Sequence, residues 1–162
     1  MIREVLDCLG ISVLEQEGYE GDDIIGTLAK NMAAEGYAVD VVTGDRDALQ
    51  LVTNDVTVYL TKKGITQMLA VTPAVMEEEY GYTPAQVIEM KALMGDTADN
   101  IPGVPGVGEK TALKLISQFG SVTGVYEHLA DVKGKKLQEK LADNKDKASY
   151  PRIWRPFAAT WT

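Results

Sequence analysis

The 162-residue chain has one cysteine, Cys8, so no disulfide framework holds it together. That scarcity suits a reducing cytoplasm, and a lone thiol is expected to serve as a small buried apolar side chain. Long apolar runs are missing, which excludes a membrane-spanning helix. Met1-Ile2-Arg3-Glu4 lacks a signal-peptide layout, because the apolar stretch that follows is short and broken by charge. There is no internal repeat and no low-complexity run. What is present is 45% hydrophobic residues, enough for one real core with a small appended subdomain.

A net charge of −8 argues against a nucleic-acid partner until its distribution is considered. Residues 1–101 hold 6 Lys and Arg against 18 Asp and Glu, whereas residues 102–147 hold 8 Lys against 6 acids. An acidic front half therefore precedes a mildly basic back half. Acids clustered for metal and bases clustered for phosphate give this asymmetry, and so do solvated faces placed by chance.

In chain order, Ile2–Leu9 predicts a short amphipathic helix stopped by Gly10, and the β-branched run Ile11–Leu14 predicts a strand. Ile24–Ala34 is an apolar helical run closed by Gly36, and Ala38–Val42 reads as a buried strand. Ala48–Val52 is a brief helix, and Val56–Leu60 alternates as a strand. Lys62-Lys63-Gly64 turns toward a paired strand at Met68–Val71. Thr72-Pro73 and Thr83-Pro84 each place a Thr cap before a Pro at the first helical position, opening Ala74–Tyr80 and Ala85–Met94. This is the pattern of an α/β fold, a mostly parallel sheet flanked by helices.

From Gly95 onward the strands stop. Lys110–Phe119, Val122–Leu129 and Lys133–Lys147 read as helices, the last with Leu137 and Leu141 at i, i+4. The expected division is an α/β core over residues 1–95 and an all-helical subdomain over 96–148. The tail 149–162, with both tryptophans and no helical period, is either a docked arm or an artefact such as a shifted reading frame.

Three acidic groups stand at element ends: Glu20, Asp22 and Asp23 before one helix, Asp45 and Asp47 after a strand, and Asp96 and Asp99 after another helix. Each alone has an ordinary explanation as a helix cap or an Asx turn. Ligands of open α/β sheets gather at the carboxyl ends of the strands, so the first two groups are expected to face one another across one crevice. Acids packed that closely repel unless cations neutralise them. Oxygen-only ligands point to Mg²⁺ or Mn²⁺ rather than zinc.

The second motif is Asn100-Ile101-Pro102-Gly103-Val104-Pro105-Gly106-Val107-Gly108-Glu109-Lys110-Thr111. Gly103, Gly106 and Gly108 permit positive φ and close backbone approach, and a helix N-terminus follows, which together make an anion site. Lys110 and Lys114 lie one helical turn apart along the same rail of phosphates. The order of a Walker loop is absent. A tight turn between helices is the ordinary reading; three glycines favour binding of a phosphate backbone without reading of its sequence.

With these residues in view, the chain resembles the 5′ nuclease, or flap endonuclease, family in the form attached to bacterial DNA polymerases. Glu20-Gly21-Asp22-Asp23, Thr43-Gly44-Asp45-Arg46-Asp47 and Gly95-Asp96-Thr97-Ala98-Asp99-Asn100 resemble its metal-binding signatures. Ile101–Thr111 resembles its helix–hairpin–helix duplex-binding motif. The resemblance implies a PIN-like, flap-endonuclease-like core and two divalent ions. An ion-activated water attacks phosphorus in line, with Asp22, Asp23, Asp45 and Asp47 as the catalytic carboxylates. It implies binding of 5′-flap or nicked duplex DNA through Gly103, Val104, Gly106, Gly108, Lys110, Thr111 and Lys114, with K⁺ held at the hairpin. It leaves His128 as ordinary helix surface.

The family has Ala where Gly21 stands, and its domain begins well before the position matching Met1. The missing part carries the first sheet strand, two further acids and a helical arch, and a linked polymerase segment is also implied. The resemblance therefore predicts a 5′→3′ nuclease impaired by a missing half, or a fragment that binds duplex DNA without cutting it. It also predicts an exposed apolar sheet edge prone to self-association.

Overall fold

A computed structural model describes residues 2–63 and 67–148. Its centre is a three-stranded sheet in the order β1 (Val39–Thr43), β2 (Val56–Lys63) and β3 (Gln67–Val71). β1 and β2 are parallel and β2 and β3 antiparallel, so the sheet is mixed rather than mostly parallel. The spacing decides this. Residues 44–55 supply a crossover built around a 3₁₀ turn at Arg46–Leu51, whereas only residues 64–66 separate β2 from β3. That gap suits an antiparallel hairpin and is far too short for a parallel return. Lys62 and Lys63 belong to β2, and Gly64 and the tail 149–162 lie outside the described residues.

One core packs on this sheet. Val56, Val58 and Leu60 alternate inward along β2 and meet Ala29 of α2 (Gly21–Ala34), with Leu49 and Val71. After α3 (Pro73–Val75), a π turn at Met76–Tyr80 seats Met76 in the same core and ends at Gly81 with φ of 73°. A second core joins α4 (Val87–Met94), α5 (Glu109–Phe119), α6 (Val122–Glu127), α7 (Lys135–Asp143) and α8 (Lys145–Ala148). α4 serves both, giving Val87 to the sheet core and Met90 and Leu93 to the helical one. It also fixes the entry to α6: the Glu89 carboxylate accepts the Val122 N–H at 2.8 Å, and Gln86 donates to the Gly120 carbonyl at 3.1 Å.

Several expectations need correction. Ile11–Leu14 forms no strand, and Ile11, Val13 and Leu14 are exposed. Strand propensity stabilises little without a ladder partner and a face to bury. Cys8 is exposed rather than buried, because α1 (Ile2–Cys8) buries none of its residues. The single helix expected over Lys133–Lys147 is two, α7 and α8. Asn144 leaves helical geometry between them (φ −121°) while its side chain donates to the Lys140 carbonyl at 2.9 Å, a local competition with the helix ladder. β1 is an edge strand with Val42 exposed, and Ile2, Val5 and Leu9 of the first segment are exposed as well.

Candidate functional site

The acids reach their positions by local chemistry that sequence alone makes readable. Asp23 accepts the Glu20 N–H at 3.0 Å and closes a capping box at the start of α2. Asp45 leaves β1 and caps the 3₁₀ turn, its Oδ1 accepting the Asp47 N–H at 2.9 Å. Asp96 begins a loop whose ends pair antiparallel: the Asp96 N–H donates to the Ile101 carbonyl at 2.9 Å and the Ile101 N–H to the Asp96 carbonyl at 2.7 Å. Inside the loop, Oδ1 of Asp96 accepts the Ala98 N–H at 2.8 Å. The ordinary roles therefore coexist with convergence and do not compete with it.

Convergence is strongest for Asp47, Asp96 and Asp99. Each offers a carboxylate oxygen, and the three oxygens lie within 4.8 Å of one another. At their centre is the ammonium of Lys91, 2.6 Å from Asp99, 2.9 Å from Asp96 and in direct contact with Asp47. Burial, the largest single influence on Lys91, lowers its pKa, but hydrogen bonds to Asp47, Asp99 and Asp96 outweigh it and hold the ammonium above the ordinary lysine range. The Lys91 hydrogen bond holds the Asp96 carboxyl below its usual range, while burial leaves Asp47 raised despite the same partner.

Asp22 links this group to the others. Its pKa is raised by burial first, and then by the negative charges of Asp45, Glu20, Asp23 and Asp99. Asp22 and Asp47, with Thr43 and Ala48, line a cavity of about 10 Å³, room for one water-sized group. Among the described residues, Glu20, Asp22, Asp23 and Asp45 do not form a second cluster as tight as the first. An all-carboxylate donor set of this kind suits a hard divalent cation.

The hairpin motif divides into an inner and an outer part. Gly103 and Val104 are buried, and the Val104 N–H donates to the Leu93 carbonyl at 2.8 Å. A Cβ on Gly103, whose φ is 58°, would lie 2.5 Å from the Gly95 Cα and the Met94 carbonyl carbon. The close approach that needs a glycine here is thus to the protein's own backbone. Val104-Pro105-Gly106-Val107 is a turn closed by the Val107 N–H on the Val104 carbonyl at 2.9 Å, with Gly106 at φ 81°. Gly106, Gly108 and Lys110 are exposed at the start of α5. Lys110, Thr111 and Lys114 line a groove of about 370 Å³ with Lys133, and Lys140 of α7 reaches to Gly106.

The profile of the 5′-3′ exonuclease N-terminal resolvase-like domain matches residues 1–81, and that of the 5′-3′ exonuclease C-terminal SAM fold matches residues 82–153. The chain belongs to the 5′-3′ exonuclease family. DNA polymerase I of Bacillus subtilis is 56% identical to it over 147 residues, 91% of this chain and 17% of the relative. The chain thus spans about one sixth of the length of that relative. Among solved structures, bacteriophage T5 5′-exonuclease with bound zinc superposes with a TM-score of 0.76 at 26% identity, over 92% of this chain and 53% of that one. A variant of the T5 flap endonuclease, in a pseudo-enzyme-product complex with DNA and metal ions, gives 0.75 at 26% identity, over 93% and 53%. The fold is that of the flap endonucleases, a small α/β part followed by a helical one. Among the described residues no helix is long and apolar enough to cross a membrane.

Two groups in this region escape a reading confined to acids and glycines. Lys91 had a signal: it lies on the apolar Val87, Met90, Met94 face of α4, where a buried charge demands a counter-charge. Lys133 had none, since its place beside Lys110 and Lys114 depends on tertiary packing.

Proposed function

We propose that the chain carries the cation-binding and duplex-gripping part of a 5′→3′ DNA nuclease that hydrolyses phosphodiester bonds at 5′ flaps or nicks. Two Mg²⁺ or Mn²⁺ ions are the cations, and Glu20, Asp22, Asp23, Asp45, Asp47, Asp96 and Asp99 are the carboxylates that would hold them. The observation that carries this reading is the meeting of Asp47 with Asp96 and Asp99, far apart in sequence, in one oxygen cluster. Asp22, electrostatically coupled to it, extends the cluster toward Glu20, Asp23 and Asp45. The T5 structures that the chain resembles hold bound metal ions.

When bound, divalent ions supply charge neutralisation at the transferring phosphoryl group and a more acidic water. The chain's own residues do the rest. Asp22 and Asp47 hold the inner wall of the cleft, where limited solvent strengthens every charge interaction. Asp45 keeps Asp47 in place through its backbone N–H. Gly106, Gly108 and the first turn of α5 offer N–H groups to backbone phosphates, and Lys110, Thr111 and Lys114 continue along the same strand. Such contacts position a duplex but do not read it. K⁺ at the hairpin carbonyls belongs to the same proposal, as does a larger polypeptide that includes a polymerase segment.

Cleavage of a labelled 5′-flap substrate with Mg²⁺ tests the reading, with loss of cleavage expected in Asp45→Asn with Asp47→Asn. Equal rates in parent and variant would remove these residues from catalysis. A second reading, duplex binding without turnover, rests on the exposed Gly106, Gly108 and Lys110 at the start of α5 and the lysine-lined groove beside them. It predicts a mobility shift of duplex DNA with no product, lost in Gly106→Pro with Lys110→Glu.

A further inference from the structure

Among the described residues, the tightest cluster of carboxylate oxygens already holds a cation belonging to the chain. Lys91 places one ammonium against Oδ2 of Asp47, Oδ2 of Asp96 and Oδ2 of Asp99. These are the three residues whose oxygens lie within 4.8 Å of one another. Asp96 is held in this orientation, because its Oδ1 accepts the Ala98 N–H at 2.8 Å and shapes the loop. The stem of Lys91 is buried in α4, which holds the ammonium at the cluster rather than in solvent. Three carboxylates this close require a positive charge among them whether or not an ion is bound. An ammonium in contact with these oxygens competes with a divalent ion for them, by like-charge repulsion and by the lone pairs it occupies.

We propose that Lys91 is a tethered counterion that occupies the Asp47–Asp96–Asp99 seat in the ion-free protein and leaves it when a divalent cation binds there. This rests on the metal-site reading above. In consequence, an ion entering the seat beside Lys91 must displace the ammonium, and the seat fills less readily than it would without Lys91. Lys91 thereby weakens this seat toward ions and offsets the mutual repulsion of its carboxylates while it is empty. It is a positioning residue and acts on the cation seat through the carboxylates.

The test is a Mn²⁺ titration followed by electron paramagnetic resonance, on the full chain and on Lys91→Met, which keeps the length and burial of the stem. The expected result is a lower Tm for the variant in chelator, recovered by Mn²⁺, with the weaker class of Mn²⁺ sites tightened about tenfold or more. A second measurement needs no variant. Acylation of Lys91 in the parent, mapped by peptide mass against exposed Lys110, should be slow in chelator and about tenfold faster or more at saturating Mg²⁺. If Lys91→Met leaves the weaker sites unchanged or loosens them, or if Lys91 stays protected at saturating Mg²⁺, Lys91 is a fixed structural charge and the proposal fails. No Mn²⁺ uptake by either protein would instead defeat the metal-site reading itself.

Discussion

Replacing Gly103 by alanine should unfold the hairpin from within, whereas the same replacement at Gly21 should stabilise the protein. Gly103 has φ of 58°, a region in which an L side chain costs about 1–2 kcal/mol. Its added Cβ would also press on the Met94–Gly95 backbone, with contacts of 2.5 Å to Gly95 Cα and to the Met94 carbonyl carbon. No side chain can rotate away there, so α4 and the loop must separate, at a further cost of about 1–3 kcal/mol. The Val104 to Leu93 hydrogen bond lies on the same seam. The sum, about 2–5 kcal/mol, is a large part of the stability of an ordinary domain and corresponds to a Tm lower by roughly 10 °C. Gly106, at φ 81°, meets only the far end of Lys140, so Gly106→Ala should cost about 1–2 kcal/mol. Gly21 stands in the first turn of α2 with open space around it and ordinary φ; Gly21→Ala should gain about 0.4–1 kcal/mol. Urea and thermal unfolding by circular dichroism, in chelator, rank the three. A Gly103→Ala protein as stable as the parent, but unable to bind duplex DNA, would show that this glycine serves the ligand and not the fold.

The raised pKa of Asp22, caused first by burial, means that its proton is held more tightly in the folded than in the unfolded protein; the stabilisation is fully present below pH 3.8 and lost as pH rises through the higher folded value. Asp22→Asn should therefore raise Tm at pH 7 in chelator, the gain shrinking as the pH approaches 3.8, while divalent-ion uptake falls. Asp96 is shifted the other way by Lys91, so Asp96→Asn should lower Tm at pH 7 and lose that effect in acid. Addition of Mg²⁺ should raise Tm, by an amount equivalent to about 2.7 kcal/mol at one hundred times the dissociation constant; a flat scanning-calorimetry response would count against an ion site. Lys110→Ala should weaken duplex binding equally for all sequences and reduce the slope of log K against log salt by about 0.9, measured by fluorescence anisotropy across salt concentrations.

What was legible in the sequence was the part governed by local rules. The Thr72-Pro73 and Thr83-Pro84 starts open the helical stretches expected of them, the first as α3 and a π turn, the second as a 3₁₀ turn running into α4. Alternation along Val56, Val58 and Leu60 identified a strand whose inner face is buried. Spacing also placed the acids in three groups at element ends, because caps and Asx turns are short-range. The misses are tertiary. Ile11–Leu14 has the composition of a strand and finds no partner. The direction of β3 depends on the length of a connection. The apolar face of α4 signals that Lys91 needs a counter-charge, but nothing local names Asp47, forty-four residues upstream in the chain, as the partner.

The acid loop and the glycine hairpin, read as two motifs, are one backbone unit. Gly95 (φ 78°), Asn100 (φ 56°) and Gly103 (φ 58°) all take positive φ within nine residues, and Asn100 is the only described non-glycine residue that does so. Such strain persists only where surrounding structure enforces it. Here the enforcement is visible: Asp96 and Ile101 exchange two backbone hydrogen bonds, Gly95 donates to Lys91, and Val104 donates to Leu93. The residues that aim Asp96 and Asp99 at Lys91 are therefore fastened to the same end of α4 as the inner half of the hairpin. A turn pressed against a phosphate rail cannot move relative to Gly95 without moving Asp96, its neighbour in sequence. If the proposed function holds, grip on the duplex and the geometry of the cation seat are both set by this one short stretch of chain, and the buried glycine of the hairpin counts for as much as the exposed ones.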